Sequence, residues 1–448
     1  MTAETQPGAA RFESVEGFSR KPGHGFGGGS APSERARLAI AYGAFILVGL
    51  NDGVIGVLLP SIIAHYHIST ATVGLLFPAA SLGYLCAAFN SGFLLERLGR
   101  RVYLSSGALV WIAGMVGFAM LPPFYALLPA LFAIGFGVAI LDAGLNAYIA
   151  ELPRGVSLLN YLHAFYGVGA LLGPLLATAM LGSVFGWNAT YYALALGVAV
   201  ALVGFALRFE RRRVHGAADA SSGEGGHGHP DVSGVSSMGR GLLRAALRSP
   251  VVWLCAIFLF VYVGVEVSLG AWSYSLLTAG RDIATSQAGW MVSGYWLGLT
   301  LGRFTLARRV ERVGPRRAIQ WLTVGVVAGI ALVWAPVGAA GAGAWLAALG
   351  LWVVGFSLGP IFPSVIAVIS ALTRPRLRQS AIGFAASLGS MGGAFFPWVA
   401  ANLAQHLGLW SLLPYTAALT LLLLALWLWL RRNLTPQSGA VTPPGTLA

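Results

Sequence analysis

Apolar residues fill this chain in long blocks, separated by short stretches rich in Arg, Gly and Pro. Each block holds about 20 residues or more, the length a helix needs to cross a hydrocarbon layer about 30 Å thick. Reading blocks against breakers predicts twelve helical spans at residues 38–64, 71–95, 101–121, 125–150, 158–183, 189–209, 250–277, 285–307, 318–336, 344–371, 378–404 and 409–430. The expected fold class is an all-α polytopic membrane protein. Residues 210–249, rich in Gly, Ser, His and Arg, read as a flexible linker between a bundle at 38–209 and a second at 250–432. Residues 1–37 are polar and Gly-rich with no apolar signal core, and read as a disordered cytoplasmic tail, with a second tail at 433–448.

Composition supports the spans. Of 448 residues, 57% are hydrophobic and 10% charged, against roughly 25% charged in soluble domains. The 60 glycines suit helices that approach closely in a bilayer. A net charge of +13 raises the question of nucleic acid, but the placement of the charges excludes it. The basic residues, almost all arginines, fall in alternate loops: before span 1, between 2 and 3, 4 and 5, in the linker, between 8 and 9, 10 and 11, and after 12. The opposite loops are nearly bare, with Arg281 the one exception. Under the positive-inside rule both termini are cytoplasmic, in the plasma (cytoplasmic) membrane.

Several chemistries drop out. No Gly-rich loop ends in Lys-Ser or Lys-Thr, so ATP is not the expected power source. Cys86 and Cys255 lie within apolar runs and read as packing residues. His215, His227 and His229 in the linker lack a ligand spacing, so neither a metal nor a cofactor is expected, and nothing marks an enzyme.

The halves repeat each other. Glu96-Arg97-Leu98-Gly99-Arg100-Arg101 follows span 2, and Glu311-Arg312-Val313-Gly314-Pro315-Arg316-Arg317 follows span 8. Gly169 to Pro174 in span 5 matches Gly392 to Pro397 in span 11. Asp52 and Gly56 in span 1 match Glu266 and Gly270 in span 7. A six-plus-six repeat predicts two pseudo-symmetric six-helix bundles about a central site, an arrangement suited to alternating access.

The stretch Gly92-Phe-Leu-Leu-Glu96-Arg97-Leu-Gly99-Arg100-Arg101 resembles the signature between helices 2 and 3 of the major facilitator superfamily, with Glu where Asp is usual and Ala307 in place of the second-half glycine. A narrower resemblance is to the fucose–galactose–hexose branch and its sugar-transporter relatives. It is carried by Asn51-Asp52 with Pro60, the Asp142 stretch, Asn160 to Gly169, Val263 to Trp272, and Gly294 to Arg303. The resemblance implies a secondary transporter. It also implies that the signature (Gly92, Glu96, Arg97, Gly99, Arg100, Arg101, and Glu311, Arg312, Gly314, Arg316 in the second copy) latches the cytoplasmic side of an outward-facing state. The latch would bridge to the start of span 11 near Arg376–Gln379. Positive-inside topology alone is the plainer reading of these arginines.

Three carboxylates lie deep in the spans: Asp52, Asp142 and Glu266. At ~1.5 Å per residue, Asp52 and Glu266 stand some 21–24 Å in from the cytoplasmic side, and Asp142 about 25 Å in from the other. A charge at such depth costs roughly 2.5–3.5 kcal/mol on insertion scales and is typically part of a solute or ion pathway. All three are proton-coupling candidates, and the sugar-branch resemblance places the coupling acid at Asp142. Glu266 has no evident Lys or Arg partner at depth, and for each acid an interhelical ion pair or hydrogen bond is the plainer alternative. Asn146 shares a helix face with Asp142, so one residue can hold a proton while the other binds solute hydroxyls. Asn160, His163 and Gly167 share a face of span 5. Asn51, Asn146, Asn160, His163, Trp272 and Tyr295 are the substrate-binding candidates, the aromatics as stacking faces for a sugar, with Tyr274 and Trp296 beside them. Trp and Tyr serve equally as interface anchors.

The expected function is proton-coupled movement of a small polar solute, a sugar first, by a monomer in a lipid bilayer. A drug–proton antiporter is the alternative, since Gly169-xxx-Gly173-Pro174 resembles the core of the antiporter motif but lacks the following glycine pair. A non-transporting sensor or scaffold is the third reading.

Overall fold

A computed structural model describes residues 32–210, 244–335 and 342–433. Most of the predicted linker, the start of the N-terminal tail and almost all of the C-terminal tail lie outside the described residues. Twelve main helices account for the fold: α1 (Pro32–Tyr66), α2 (Leu76–Leu98), α3 (Arg100–Ala119), α4 (Leu127–Ala150), α5 (Gly155–Leu181) and α6 (Ala189–Arg208), then α7 (Pro250–Thr278), α8 (Thr285–Thr305), α9 (Pro315–Trp334), α10 (Ala342–Leu358 continued by Ile361–Leu372), α11 (Arg378–Leu407) and α12 (Leu412–Asn433). Among the described residues eleven spans are long and apolar enough to cross a membrane. The remaining helix, α8, is diluted by Thr285, Ser286, Gln287, Ser293 and Arg303, yet it is packed against α5, α7 and α10. The chain is an all-α, multi-pass membrane protein.

Two expectations need correcting. The N-terminal tail is helical from Pro32, where Glu34 in the first turn suits a helix start, so the polar segment is shorter than 1–37. Span 344–371 is interrupted at Gly359 and Pro360. The proline cannot donate to the Phe356 carbonyl one turn back, and Pro363 likewise leaves the Gly359 carbonyl without its intrahelical donor.

The repeat governs the packing. In the first bundle α1 pairs with α5, α2 with α4, α3 with α4 and α6; in the second α7 pairs with α11, α8 with α10, α9 with α10 and α12. Glycines bring the core pairs into backbone contact. A Cβ at Gly169 would overlap the Ile46 carbonyl, and one at Gly392 the equivalent Phe260 carbonyl. With no water-driven force between helices in lipid, such close contact is the main source of association.

Three crossings join the bundles, α1 with α7, α2 with α11 and α5 with α8. On the face lacking arginines the seal is tight. The Thr70 amide donates to Gln405 Oε1 at 2.8 Å, a Cβ at Gly74 would stand 2.6 Å from Ala401 Cβ, and the rings of Phe77 and Trp272 lie 6.3 Å apart. Toward the arginine-rich face the same helices part: a Cβ at Gly92 of α2 or Gly383 of α11 would meet nothing within 4 Å.

Candidate functional site

The two bundles enclose a central cavity of about 500 Å3. Its lining is mostly apolar, with few polar groups: Asn51, Asp52, Ser81, Tyr84, Asp142, His163, Tyr166, Glu266, Arg303 and Ser390. Few, well-placed polar groups in an apolar concavity are the usual make-up of a small-molecule site.

Two carboxylates occupy the wall built by the first bundle. Asp52 on α1 accepts from Tyr166 Oη of α5 at 2.9 Å and from Asn51 Nδ2 at 3.3 Å. Asp142 on α4 accepts from Tyr84 Oη of α2 at 2.7 Å and from Asn146 Nδ2 at 2.8 Å. Each acid is therefore held by one tyrosine and one asparagine, and among the described residues neither forms an ion pair with Lys or Arg. A carboxyl held only by neutral donors can gain or lose a proton without stranding a buried cation, which distinguishes it from a structural ion pair. His163 lines the same cavity, its ring edge-on to Phe45 at 5.7 Å.

The opposite wall carries a charge pair. Glu266 of α7 stands 3.6 Å from Arg303 of α8, so the carboxylate that lacked an evident basic partner in the sequence has one. Arg303 is itself anchored, its Nε donating at 3.2 Å to the Gly359 carbonyl that Pro363 leaves unsatisfied. Tyr262 Oη donates to the neighbouring Leu358 carbonyl at 3.0 Å. The break in α10 is thus braced from α7 and α8, at the Leu358 and Gly359 carbonyls.

Four candidates fall outside the cavity lining. Asn146 commits its amide to the carboxylate and backbone oxygen of Asp142, leaving it a positioning role. Tyr295 is buried behind the wall, donating to the Glu266 carbonyl at 2.8 Å. Trp272 is 1% exposed and donates to the Pro397 carbonyl at 3.0 Å; with Phe77 it forms part of the seal between bundles, not a stacking face. Asn160 is exposed near the start of α5. Trp296, in contrast, does line the cavity.

The signature loops take the same shape in both halves. Gly99 at φ 74° and Gly314 at φ 88° turn the chain in a single residue. Arg100 binds both carboxylate oxygens of Glu151 at 2.8 Å and lies over the Tyr148 ring at 5.1 Å. Arg97 lies over Phe93, and the Arg101 amide donates to the Glu210 carbonyl at 3.3 Å. Glu96, Glu311 and Arg312 are exposed, and the Arg316 carbonyl accepts from Trp427. Among the described residues no ion pair joins Glu96 to Arg374, Arg376 or Arg378. The expected latch is therefore not drawn to those arginines, as the open space at Gly92 and Gly383 requires.

Sequence reasoning missed Tyr84, Tyr166 and Arg303. Tyr166 lies on the same stretch as His163, but nothing in spacing alone says that it reaches α1. Arg303 sits near the end of an apolar run, where an arginine reads as an interface residue.

Two repeated six-helix bundles meeting at a central cavity with paired acids define the class, a helical membrane transporter. The chain belongs to the Major Facilitator Superfamily, whose family model matches residues 41–281 and 267–446. "Bypass of stop codon protein 6" of Saccharomyces cerevisiae is 26% identical over 82% of this chain and 76% of its own. The "Sodium-dependent glucose transporter 1A" of Mus musculus is 22% identical over 57% of this chain and 64% of its own, so the match spans less than two thirds of that relative. The fold is shared with the nucleoside transporter NupG, at a TM-score of 0.73 and 13% identity over 90% of this chain and 100% of that one.

Proposed function

We propose that the chain is a symporter of the plasma membrane, moving a small polar solute, a sugar, together with protons by alternating access. The carrying observation is the pair of acids on one wall, Asp52 with Tyr166 and Asp142 with Tyr84, each hydrogen-bonded by neutral donors and facing a cavity between two bundles. Asp142 is the leading proton carrier and Asp52 the second. Glu266, with its Arg303 partner, is better suited to the solute side than to proton traffic. By the positive-inside rule the arginine-rich loops support cytoplasmic termini, and on that reading the described state faces inward. The sequence resemblance to the fucose–galactose–hexose branch and the name of the mouse relative both support a sugar.

That name also brings sodium into question, and the test resolves it. Proteoliposomes are loaded against a pH gradient or a Na⁺ gradient and screened over hexoses, nucleosides and cationic dyes. Hexose accumulation driven by the pH gradient alone is expected. Flux indifferent to that gradient would sink proton symport, flux that follows Na⁺ would replace the coupling ion, and dye extrusion would favour the antiporter. Asp142→Asn is expected to abolish gradient-driven accumulation while retaining solute exchange; normal accumulation would remove Asp142 from the coupling step.

A further inference from the structure

We propose that Glu266 and Arg303 form a donor–acceptor pair that contacts the solute, takes a vicinal diol of an uncharged molecule and turns carboxylates away. The assignment rests on reading the chain as a carrier, and it names what the second wall recognises.

Geometry comes first. Both residues line the cavity, and their side chains keep part of their surface open, 30% for Arg303 and 14% for Glu266. The pair is separated by 3.6 Å, within range for charge attraction but beyond a good hydrogen bond. Arg303 is tethered by its Nε, which donates to the Gly359 carbonyl at the α10 break, and among the described residues it forms no ion pair with Asp52 or Asp142. Tyr295 donates to the Glu266 backbone carbonyl and so anchors that turn of α7 to α8, while the carboxylate itself is positioned by Arg303. The result is a guanidinium and a carboxylate held side by side at a cavity wall.

The chemistry of the two groups is complementary. A carboxylate only accepts hydrogen bonds and a guanidinium only donates them. One hydroxyl of a diol can donate to Glu266 while the neighbouring oxygen accepts from Arg303, since adjacent diol oxygens stand at about hydrogen-bonding separation. Both bonds are charge-assisted, the stronger kind.

Charge then sets selectivity. Among the described residues no second Lys or Arg lines the cavity, whereas Asp52 and Asp142 line it together with the pair. An unaccompanied arginine there would be a bidentate receptor for a solute carboxylate. Glu266 cancels that attraction, so an acidic solute gains nothing from the pair, and whenever Asp52 or Asp142 is ionised it also meets repulsion.

The test uses the chain in lipid nanodiscs, with equilibrium binding of D-glucose, 2,4-dideoxy-D-glucose (which keeps no adjacent hydroxyls), uridine, 2′-deoxyuridine and D-glucuronate. Wild type is expected to bind at least one of the two diols, and roughly tenfold to hundredfold more tightly than its deoxy partner. Glu266→Gln is expected to lose a similar factor for the diol, to change the deoxy compound little, and to bind D-glucuronate at least tenfold more tightly than wild type. Should Glu266→Gln fail to fold, Arg303→Lys, which keeps the charge but loses the planar fork, is expected to show the same diol-selective loss. Equal losses for diol and deoxy compounds would reveal a purely structural pair and overturn the proposal. So would wild-type binding of D-glucuronate as tight as the diols, or no binding of either diol. Uridine binding without glucose binding would sink the sugar reading and leave the pair's role standing. Glucose binding untouched by Glu266→Gln would do the reverse.

Discussion

Gly99 and Gly314 occupy equivalent points of the two halves and hold φ values of 74° and 88° with extended ψ, a region essentially confined to glycine. An alanine at Gly99 is expected to cost about 1–3 kcal/mol, seen as a lowered unfolding temperature of the purified chain, whereas Gly43→Ala, in open space within α1, is expected to leave it unchanged or raised. The signature glycines were legible because two copies of one motif can be laid side by side. The acids were legible too, since a carboxylate among apolar residues is conspicuous. Their partners were not. Tyrosine is at home in a membrane helix for several reasons, and only the packing of α5 on α1 and of α2 on α4 tells which tyrosine reaches which acid. Asn146 shows the limit of spacing, which correctly put the residue beside Asp142 but did not tell that its amide donates to the acid and that it falls outside the cavity lining.

Helix count and order follow from hydrophobic runs and arginine-rich loops, and the structure places the helices within a few residues of those runs, apart from the early start of α1. The sequence reads 344–371 as one span, and the interruption of α10 at Pro360 shows its consequence in other elements, where Arg303 donates to the Gly359 carbonyl and Tyr262 to the Leu358 carbonyl. Close pairing of helices is where single changes act most strongly at this scale. A Cβ at Gly169 would overlap the Ile46 carbonyl, and one at Gly355 the Tyr295 carbonyl. Gly169→Leu and Gly355→Leu are expected to force their helices apart at a cost of about 1–3 kcal/mol or more, giving aggregated material on size exclusion. Gly294→Leu on α8 meets nothing within 4 Å and is expected to remain monodisperse. Loss of stability at Gly294 equal to that at Gly169 would show that helix approach is not what the glycines secure.

Between bundles, one face is sealed by Thr70, Gly74, Phe77, Trp272 and Ala401, while the other leaves Gly92 and Gly383 in open space. Such asymmetry is what one end of an alternating-access cycle requires, and it yields a measurement. With Cys86 and Cys255, which are both free, replaced by alanine, Gly92→Cys and Gly383→Cys are expected to react with a membrane-impermeant maleimide in inside-out vesicles. In right-side-out vesicles both should be protected. The signature resemblance adds a second arm, because Glu96 lies on the parted side with Arg376 and Arg378 exposed at the start of the facing helix. If closing that side brings Glu96 to those arginines, removing the carboxylate should favour the parted state. Glu96→Gln is then expected to speed labelling of Gly383→Cys and to slow solute entry from the opposite face. Unchanged labelling with Glu96→Gln would leave the signature as a topology signal and nothing more, since a latch that contributes to one state of a two-state equilibrium must shift the populations when it is removed.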